Sequence, residues 1–373
     1  MRILSLSRAP LKYKAGIPAY CLNLYSNNDF NVKNYSYDIK CKLKKKEIST
    51  TQGVEEIIFP SQFSIGTIAF SIEYIYSIIS HREKFDLIHL QHPDPLSAIC
   101  ALLSKILRPK LKIIITWHAD IYKSYFFAIP FLAIIDFTAY LLSSRIIFFT
   151  PMHLKSSFIN NFKFLKNKTI LIPNCIPLKK EVRKKAGFEK KIAKNQKKYT
   201  FLSIGRLVKY KGYEYSIKAL SKFELNFDYY IIGSGPMKNE LEALIKNLKL
   251  EKKVKLLGEI TDDEKNKLLS LADIFLFPSI TQSEAYGLVQ LEAMSYGLPI
   301  INTNLKNGVN YLAPPNIAIT CKKKSAYEIL NAINNLIKDK AFYKKKSAAV
   351  LSNLKRFNID EMRSEFKKII QEV

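Results

Sequence analysis

Acid is what this chain is short of: 32 Asp and Glu stand against 59 Lys and Arg among 373 residues, a formal net charge of +27. Such an excess favours anionic partners, whether phosphates, nucleic acid or an acidic bilayer, without choosing among them. Cysteine is scarce and unpatterned. Cys21, Cys41, Cys100, Cys175 and Cys321 form an odd set without a CxxC pair, which supports neither a disulfide framework nor a zinc site and fits a reducing, cytoplasmic compartment. The opening MRILSLSRAP lacks the h-region and cleavage site of a signal peptide, and reads as a first strand. No internal repeat and no nucleic-acid-binding motif is visible. A DxD metal motif is missing too: Asp262 and Asp263 are adjacent at an expected helix start, where carboxylates act as caps. The most apolar run, YFFAIPFLAIIDFTAYLL (125 to 142), is about the length of a membrane span. Pro130 and Asp136 interrupt it and Lys123 and Arg145 flank it, so a buried or interfacial helix is the better reading.

What is present is the punctuation of α/β architecture. Apolar runs at 2 to 7, 55 to 60, 86 to 91, 112 to 117, 145 to 150 and 168 to 173 are short and unalternating, as strands buried on both faces by crossover helices are. A second series follows at 199 to 205, 228 to 233, 253 to 258, 273 to 279 and 299 to 304, with helical spacing near 213 to 223, 237 to 248, 262 to 271 and 287 to 297. Between the series lies KKEVRKKAGFEKKIAKNQKK (179 to 198), a lysine-rich stretch with nothing to bury. The expected organisation is a doubly wound domain over 1–175, a linker over 176–198, a second doubly wound domain over 199–355, and a C-terminal helix over 356–373 packing back toward the first. Two such domains in tandem create a cleft where the carboxyl ends of their strands face each other.

Three segments carry chemistry. SIGRLVKYKG ends a strand at Gly205 and places Arg206 and Lys211 on the following turn, where a planar fork and a point charge suit a diphosphate. On their own, two cations in so basic a chain are more often surface decoration. IIGSGP sets Gly233 and Gly235 between strand and helix; a tight βα turn explains them as well as a nucleotide does. SEAYGLVQLEAMSYGLPIINTN (283 to 304) is the informative one. Glu284 falls after a strand, Tyr286, Gly287, Leu288 and Val289 begin a helix, and Glu292 lies further along it. Free amides at a helix start suit a phosphate, and carboxylates on either side suit the hydroxyls of a sugar and of a ribose. Taken singly, Glu292 is equally a solvated helix carboxylate and Glu284 a cap. His118 follows KIIITW at a strand end, where ligand-binding residues of open sheets collect. His92, in QHPDP at another strand end, is a candidate for the acceptor side.

In this order these segments resemble the retaining glycosyltransferases of family 4, whose fold is GT-B: two Rossmann-like domains facing across a cleft. The spacing of Glu284 and Glu292 within SEAYGLVQLEAMSYGLPII is similar to that family's most specific signature, and TWHADI (116 to 121) looks like enzymes that add mannose or a related hexose to bacterial surface polysaccharides. The resemblance implies that Arg206 and Lys211 bind the donor diphosphate in place of a metal. Glu284 would contact the donor sugar, the amides of Tyr286 to Val289 would hold sugar and phosphate, and Glu292 would bind the ribose. Gly258 and Glu259 would lie against the nucleobase, Gly16 would approach the diphosphate, and His118 would sit by the sugar. The implied donor is a nucleoside diphosphate sugar, GDP-mannose or a UDP-hexose, and the implied acceptor a glycan or a lipid-linked glycan. Neither cofactor, metal nor nucleic acid is required. The lysines of KCKLKKK (40 to 46) and the aromatic run from Tyr122 to Tyr140 add an expected peripheral contact with an anionic membrane surface, at the inner face of the cytoplasmic membrane. A sugar-nucleotide epimerase of the same fold and a non-enzymatic basic surface protein, binding membrane or nucleic acid, are the competing readings.

Overall fold

The computed structural model of the chain describes residues 1–13, 16–26, 30–65, 68–118, 129–177 and 198–373. They form two compact units, Met1–Cys175 with Ile359–Val373, and Ile176–Asn358. Most of the lysine-rich linker falls outside the described residues.

The first unit is built on strands β1 (Arg2–Leu6), β2 (Asn31–Tyr37), β3 (Glu47–Thr51), β4 (Val54–Phe59), β5 (Phe63–Ile65), β6 (Ile68–Phe70), β7 (Leu87–His92), β8 (Lys112–Trp117), β9 (Arg145–Phe148) and β10 (Thr169–Leu171). Eight of them make one sheet in the order β10-β9-β8-β7-β1-β2-β4-β3, while β5 and β6 pair as a separate antiparallel ribbon. Every neighbour in the large sheet is parallel except β3, which runs against β4 at the edge. Each residue of β7 is buried, its leucines and isoleucine in the core and His89, Gln91 and His92 paired with Thr116, His118 and Asp136 in turn. The helices Ile72–Ser80, Pro95–Leu107 and Ile129–Leu142 pack side by side over the sheet. The last helix of the chain, Ile359–Glu372, completes this unit: Phe366 meets Tyr25 and stacks on His89 at 4.8 Å, and Arg363 Nε donates to the Asn23 carbonyl at 2.9 Å.

The second unit carries β11 (Tyr199–Ile204), β12 (Phe227–Ile232), β13 (Val254–Gly258), β14 (Ile274–Phe277), β15 (Ile300–Thr303) and β16 (Ile319–Cys321). All pairs are parallel and the order is β13-β12-β11-β14-β15-β16. The winding reverses between β11 and β14, so the connections from these two neighbours depart in opposite directions and leave a crevice at their carboxyl ends. The functional segments of the sequence follow those two strands.

Candidate active site

The crevice is closed from below by glycine. Gly212 sits at φ 65°, and a Cβ there would come within 2.4 Å of the Pro278 carbonyl oxygen. The loop after β11 can therefore lie directly on the loop after β14, joined by the Ile280 amide donating to the Tyr210 carbonyl at 2.8 Å. That contact delivers Lys211 to Glu284. The Lys211 ammonium lies 2.5 Å from Glu284 Oε2, both residues are nearly buried at 9% and 8% exposure, and the ammonium rests 5.2 Å from the centre of the Phe277 ring. Ser279 Oγ donates to the same carboxylate oxygen at 3.3 Å, and Asn307 Nδ2 donates to the Glu284 carbonyl at 2.7 Å. Gly205 leaves room for this ammonium, since a Cβ there would stand 3.0 Å from Lys211 Nζ and 2.9 Å from the Tyr213 hydroxyl. Arg206, by contrast, is exposed, with the Tyr210 hydroxyl 3.5 Å from its guanidinium. The two expected diphosphate cations thus stand in different situations: Arg206 is open, and Lys211 is engaged with the residue expected to hold the sugar.

The helix expected from Tyr286 begins at Val289, with Leu288 at its cap position. Gly287 is the reason. Its φ of 78° is incompatible with a right-handed helical turn, and a Cβ would stand 2.9 Å from the Phe277 ring. Tyr286 and Gly287 therefore form the turn that leads into the helix. Gln290 locks its first turn from below, donating to the Val309 carbonyl at 3.1 Å and accepting from Asn302 Nδ2 at 3.1 Å. Glu292 is not a solvated carboxylate. Its Oε2 lies 2.9 Å from Lys265 Nζ, on the helix Asp262–Leu271, and Lys265 also reaches Asp262 at 3.2 Å. Burial works against the Lys265 ammonium, but Glu292 and Asp262 outweigh it and hold its pKa above the ordinary lysine value.

Of the remaining positions in this unit, Gly258 has open space where a side chain would stand, at φ 67°, and Glu259 Oε1 accepts from Ser234 Oγ at 2.6 Å. Gly233 and Gly235 answer to their own fold. A Cβ on Gly233 would lie 2.2 Å from the Gly205 carbonyl oxygen, and one on Gly235 would lie 2.4 Å from that of Leu207, so these glycines let two βα turns pack backbone to backbone.

In the first unit, Gly16 precedes the helix Ile17–Tyr25 at φ 60°, and nothing lies within 4 Å of the point where a Cβ would stand. The 3-10 turn leading towards it, Leu11–Tyr13, is held by the buried Glu56, whose two carboxylate oxygens each accept from the Leu11 amide at 3.0 Å. His118 closes β8. Its Nε2 donates to Gln91 Oε1 at 2.9 Å, and its ring meets Tyr20 and Phe149 edge-on at 5.2 and 5.0 Å. Burial, with smaller contributions from surrounding His and Arg charges, pushes its pKa well below the usual imidazole value. The ring is neutral at physiological pH and, with Nε2 committed to Gln91, keeps Nδ1 as its acceptor. His92 does not line an acceptor surface. It is 1% exposed, 3.0 Å from Asp136 and 3.1 Å from the Tyr140 hydroxyl, tying the helix Ile129–Leu142 to β7.

Spacing along the chain could not reveal Lys265, Ser279, Asn307, Gln91 or Glu56, because each acts from an element remote in sequence or at a position without a motif. Among the described residues no group of three His, Cys, Asp or Glu side chains is placed to hold a metal ion, and no helix is long and apolar enough to cross a membrane.

Two doubly wound sheets, parallel throughout except for the edge strand β3, give the GT-B fold. The crystal structure of Anabaena Alr3699/HepE in complex with UDP superposes with a TM-score of 0.76 over 100% of both chains, at 17% identity. Residues 184–353 match the family model described as Glycosyl transferases group 1. Two similar proteins are the O-antigen biosynthesis glycosyltransferase WclY of Escherichia coli, 26% identical over 78% of this chain and 80% of that one, and an uncharacterized glycosyltransferase of Methanocaldococcus jannaschii, 34% identical over 44% of this chain. The match spans 40% of the length of the latter.

Proposed function

We propose that this chain is a retaining, metal-independent glycosyltransferase of bacterial surface polysaccharide assembly, moving a hexose from a nucleoside diphosphate sugar, GDP-mannose or a UDP-hexose, to a glycan or lipid-linked acceptor. The observation that carries the reading is the Lys211–Glu284 pair at the reversal point of the second sheet, with Arg206 exposed beside it. The similarity to WclY, an O-antigen glycosyltransferase by name, supports the polysaccharide assignment.

Cleavage of the donor leaves negative charge on the diphosphate, and fixed cations placed beforehand stabilise that charge without reorganising. Arg206 supplies the open guanidinium. Lys211 supplies a second positive centre and at the same time fixes the Glu284 carboxylate, whose remaining lone pairs are directed at sugar hydroxyls. Glu292, held by Lys265, serves the ribose, and Gly258 leaves its open space to the base. Glu284 is already occupied by Lys211, so no free carboxylate is assigned as nucleophile. The acceptor hydroxyl attacks the anomeric carbon on the face the diphosphate leaves, the carbon–oxygen bond to phosphate breaks, and the departing phosphate oxygen takes the acceptor proton. His118, neutral and oriented by Gln91, keeps its expected role as a sugar-binding residue.

Transfer assays with each donor in excess EDTA, followed by NMR of the new glycosidic bond, test this reading. Product that keeps the donor's anomeric configuration is expected. Inversion, a product formed without acceptor, or activity restored only by magnesium or manganese contradicts it.

A further inference from the structure

The outer face of the first unit exposes more large apolar side chains than a solvent-facing helical layer needs. On the helix Ile72–Ser80, Tyr74 and Ile78 turn inward, whereas Ile72 and Tyr76 point out, Tyr76 at 73% exposure. On the neighbouring helix Pro95–Leu107, Ile106 is 66% exposed and Leu107 more than half. The β5–β6 ribbon, joined to the first of these helices by the Ile72 amide donating to Gln62 Oε1 at 3.0 Å, presents Phe63 stacked on Phe70 at 5.3 Å, both exposed. The ribbon's second strand also packs on the helix Pro95–Leu107, which packs on the helix Ile72–Ser80, so the ribbon and both helices present these side chains from neighbouring elements. Contiguous exposed apolar area of this kind marks an interaction surface.

Charge selects the partner. Exposed lysines follow both helices, Lys84 after the first and Lys110 after the second, while Arg82, Lys105 and Arg108 are half-buried and donate to the carbonyls of Ile79, of Pro109 and Leu111, and of Arg82. Lys46, at the end of the exposed lysine loop, is near enough to His81, the cap of the first helix, to act on its protonation together with Lys84 and Lys33, after the larger effect of burial. The acidic Glu83 is consumed between Arg108, at 3.2 Å, and Arg82, at 3.8 Å, and Glu73 is the exposed acid on the patch side. Aromatic and aliphatic side chains rimmed by cations fit the boundary between lipid headgroups and acyl chains, where the rings insert and the cations meet phosphate.

We infer that this face, made by the β5–β6 ribbon and the outward sides of the helices Ile72–Ser80 and Pro95–Leu107, docks the protein on an anionic bilayer. Of the aromatic run Tyr122–Tyr140 expected to make such a contact, residues 122–128 lie outside the described residues, and the helix that follows turns Leu132, Ile135, Ala139 and Tyr140 inward while Ile134 stays exposed. The surface stands independently of donor chemistry but serves the proposed function, since a lipid-linked acceptor is reached only at the membrane.

Co-sedimentation of the full chain with vesicles tests it, comparing equal parts phosphatidylglycerol and phosphatidylcholine with phosphatidylcholine alone. Binding to the anionic vesicles only is expected. The Tyr76→Ser, Ile106→Ser double variant should bind roughly tenfold or more weakly, since two inserted apolar side chains are lost, while melting at the wild-type temperature. Lys46→Gln with Lys84→Gln should weaken binding at low salt and little at high salt. Undiminished binding by the serine variant, equal binding to neutral vesicles, or no binding overturns the inference. So does a wild-type dimer in light scattering that the serine variant converts to monomer. Donor-induced thermal stabilisation measured on the same variants separates failure of the surface from failure of the enzymatic reading, because neither substitution touches the nucleotide residues.

Discussion

At the scale of single residues, Lys211 is where motif and structure say different things. As a basic residue on a turn it reads as a free phosphate ligand; in place, it is one half of a nearly buried ion pair with Glu284. Removing one partner of such a pair leaves the other desolvated and uncompensated, which costs about 3 kcal/mol. Lys211→Ala is therefore expected to lower stability by that order as well as turnover, whereas Arg206→Ala, at an exposed site, should lower turnover roughly 100-fold and leave stability within about 0.5 kcal/mol. Urea unfolding of both variants and of Lys211→Met with Glu284→Leu checks this: the double variant should be more stable than Lys211→Ala, and additive losses would contradict the pairing. His89 offers a second residue-scale test. It is buried between the Tyr25 hydroxyl and Thr116 Oγ1, and burial pushes its pKa down to about 3. Below the unfolded value of about 6.5, the unfolded chain takes up a proton that the folded chain refuses. Stability is therefore lost as pH falls through that window, by about 1.4 kcal/mol per pH unit for this one group. His118 shifts in the same direction. Unfolding midpoints at several pH values for wild type and His89→Gln should differ in slope by about one proton; parallel curves would exclude His89 from the acid response.

At the scale of elements, glycine geometry decides where helices and turns stop. Gly287→Ala forces a side chain into a left-handed φ and against the Phe277 ring at 2.9 Å, and is expected to destabilise by about 2 to 4 kcal/mol and to displace the start of the helix Val289–Ser295. A thermal melt no lower than wild type would show that the turn adapts. This is also the scale at which sequence reading succeeds and fails. Strands buried on both faces, such as KIIITW and DIFLFPS, announce themselves by unbroken apolar composition, and β8 and β14 lie within them. β2 does not, because NVKNYSY contains Asn34 and Ser36, which look like loop residues. They are buried, and Asn34 Nδ2 and Ser36 Oγ each donate to Glu56 Oε1 at 2.8 Å. A polar network inside a sheet erases the periodicity on which strand recognition depends. The site divides similarly. Glu284 and Glu292 are legible from their spacing, but the ammonium groups that hold them, one from the turn after β11 and one from the helix Asp262–Leu271, are brought to them only by the tertiary fold.

At the scale of the whole molecule, the chain leaves the first unit at Cys175, builds the second, and returns to finish the first with Ile359–Glu372. Phe366, Ile369 and Ile370 are buried on that return, so truncation after Asn358 is expected to strip hydrogen-exchange protection from β1 and β7 while β11 to β15 keep theirs. Loss of protection in both units alike would contradict the division. In the proposed function the second unit holds a nucleoside diphosphate sugar at the reversal of its sheet. The most direct test is a thermal-shift panel of GDP-mannose, UDP-glucose, UDP-galactose and UDP-N-acetylglucosamine in excess EDTA, run on wild type, Arg206→Ala and Glu292→Ala. A ligand that binds only the native state raises the melting temperature. At least one donor should stabilise the wild type, and either substitution should remove most of that stabilisation. No stabilisation by any of the four, or an undiminished shift in both variants, would contradict the account.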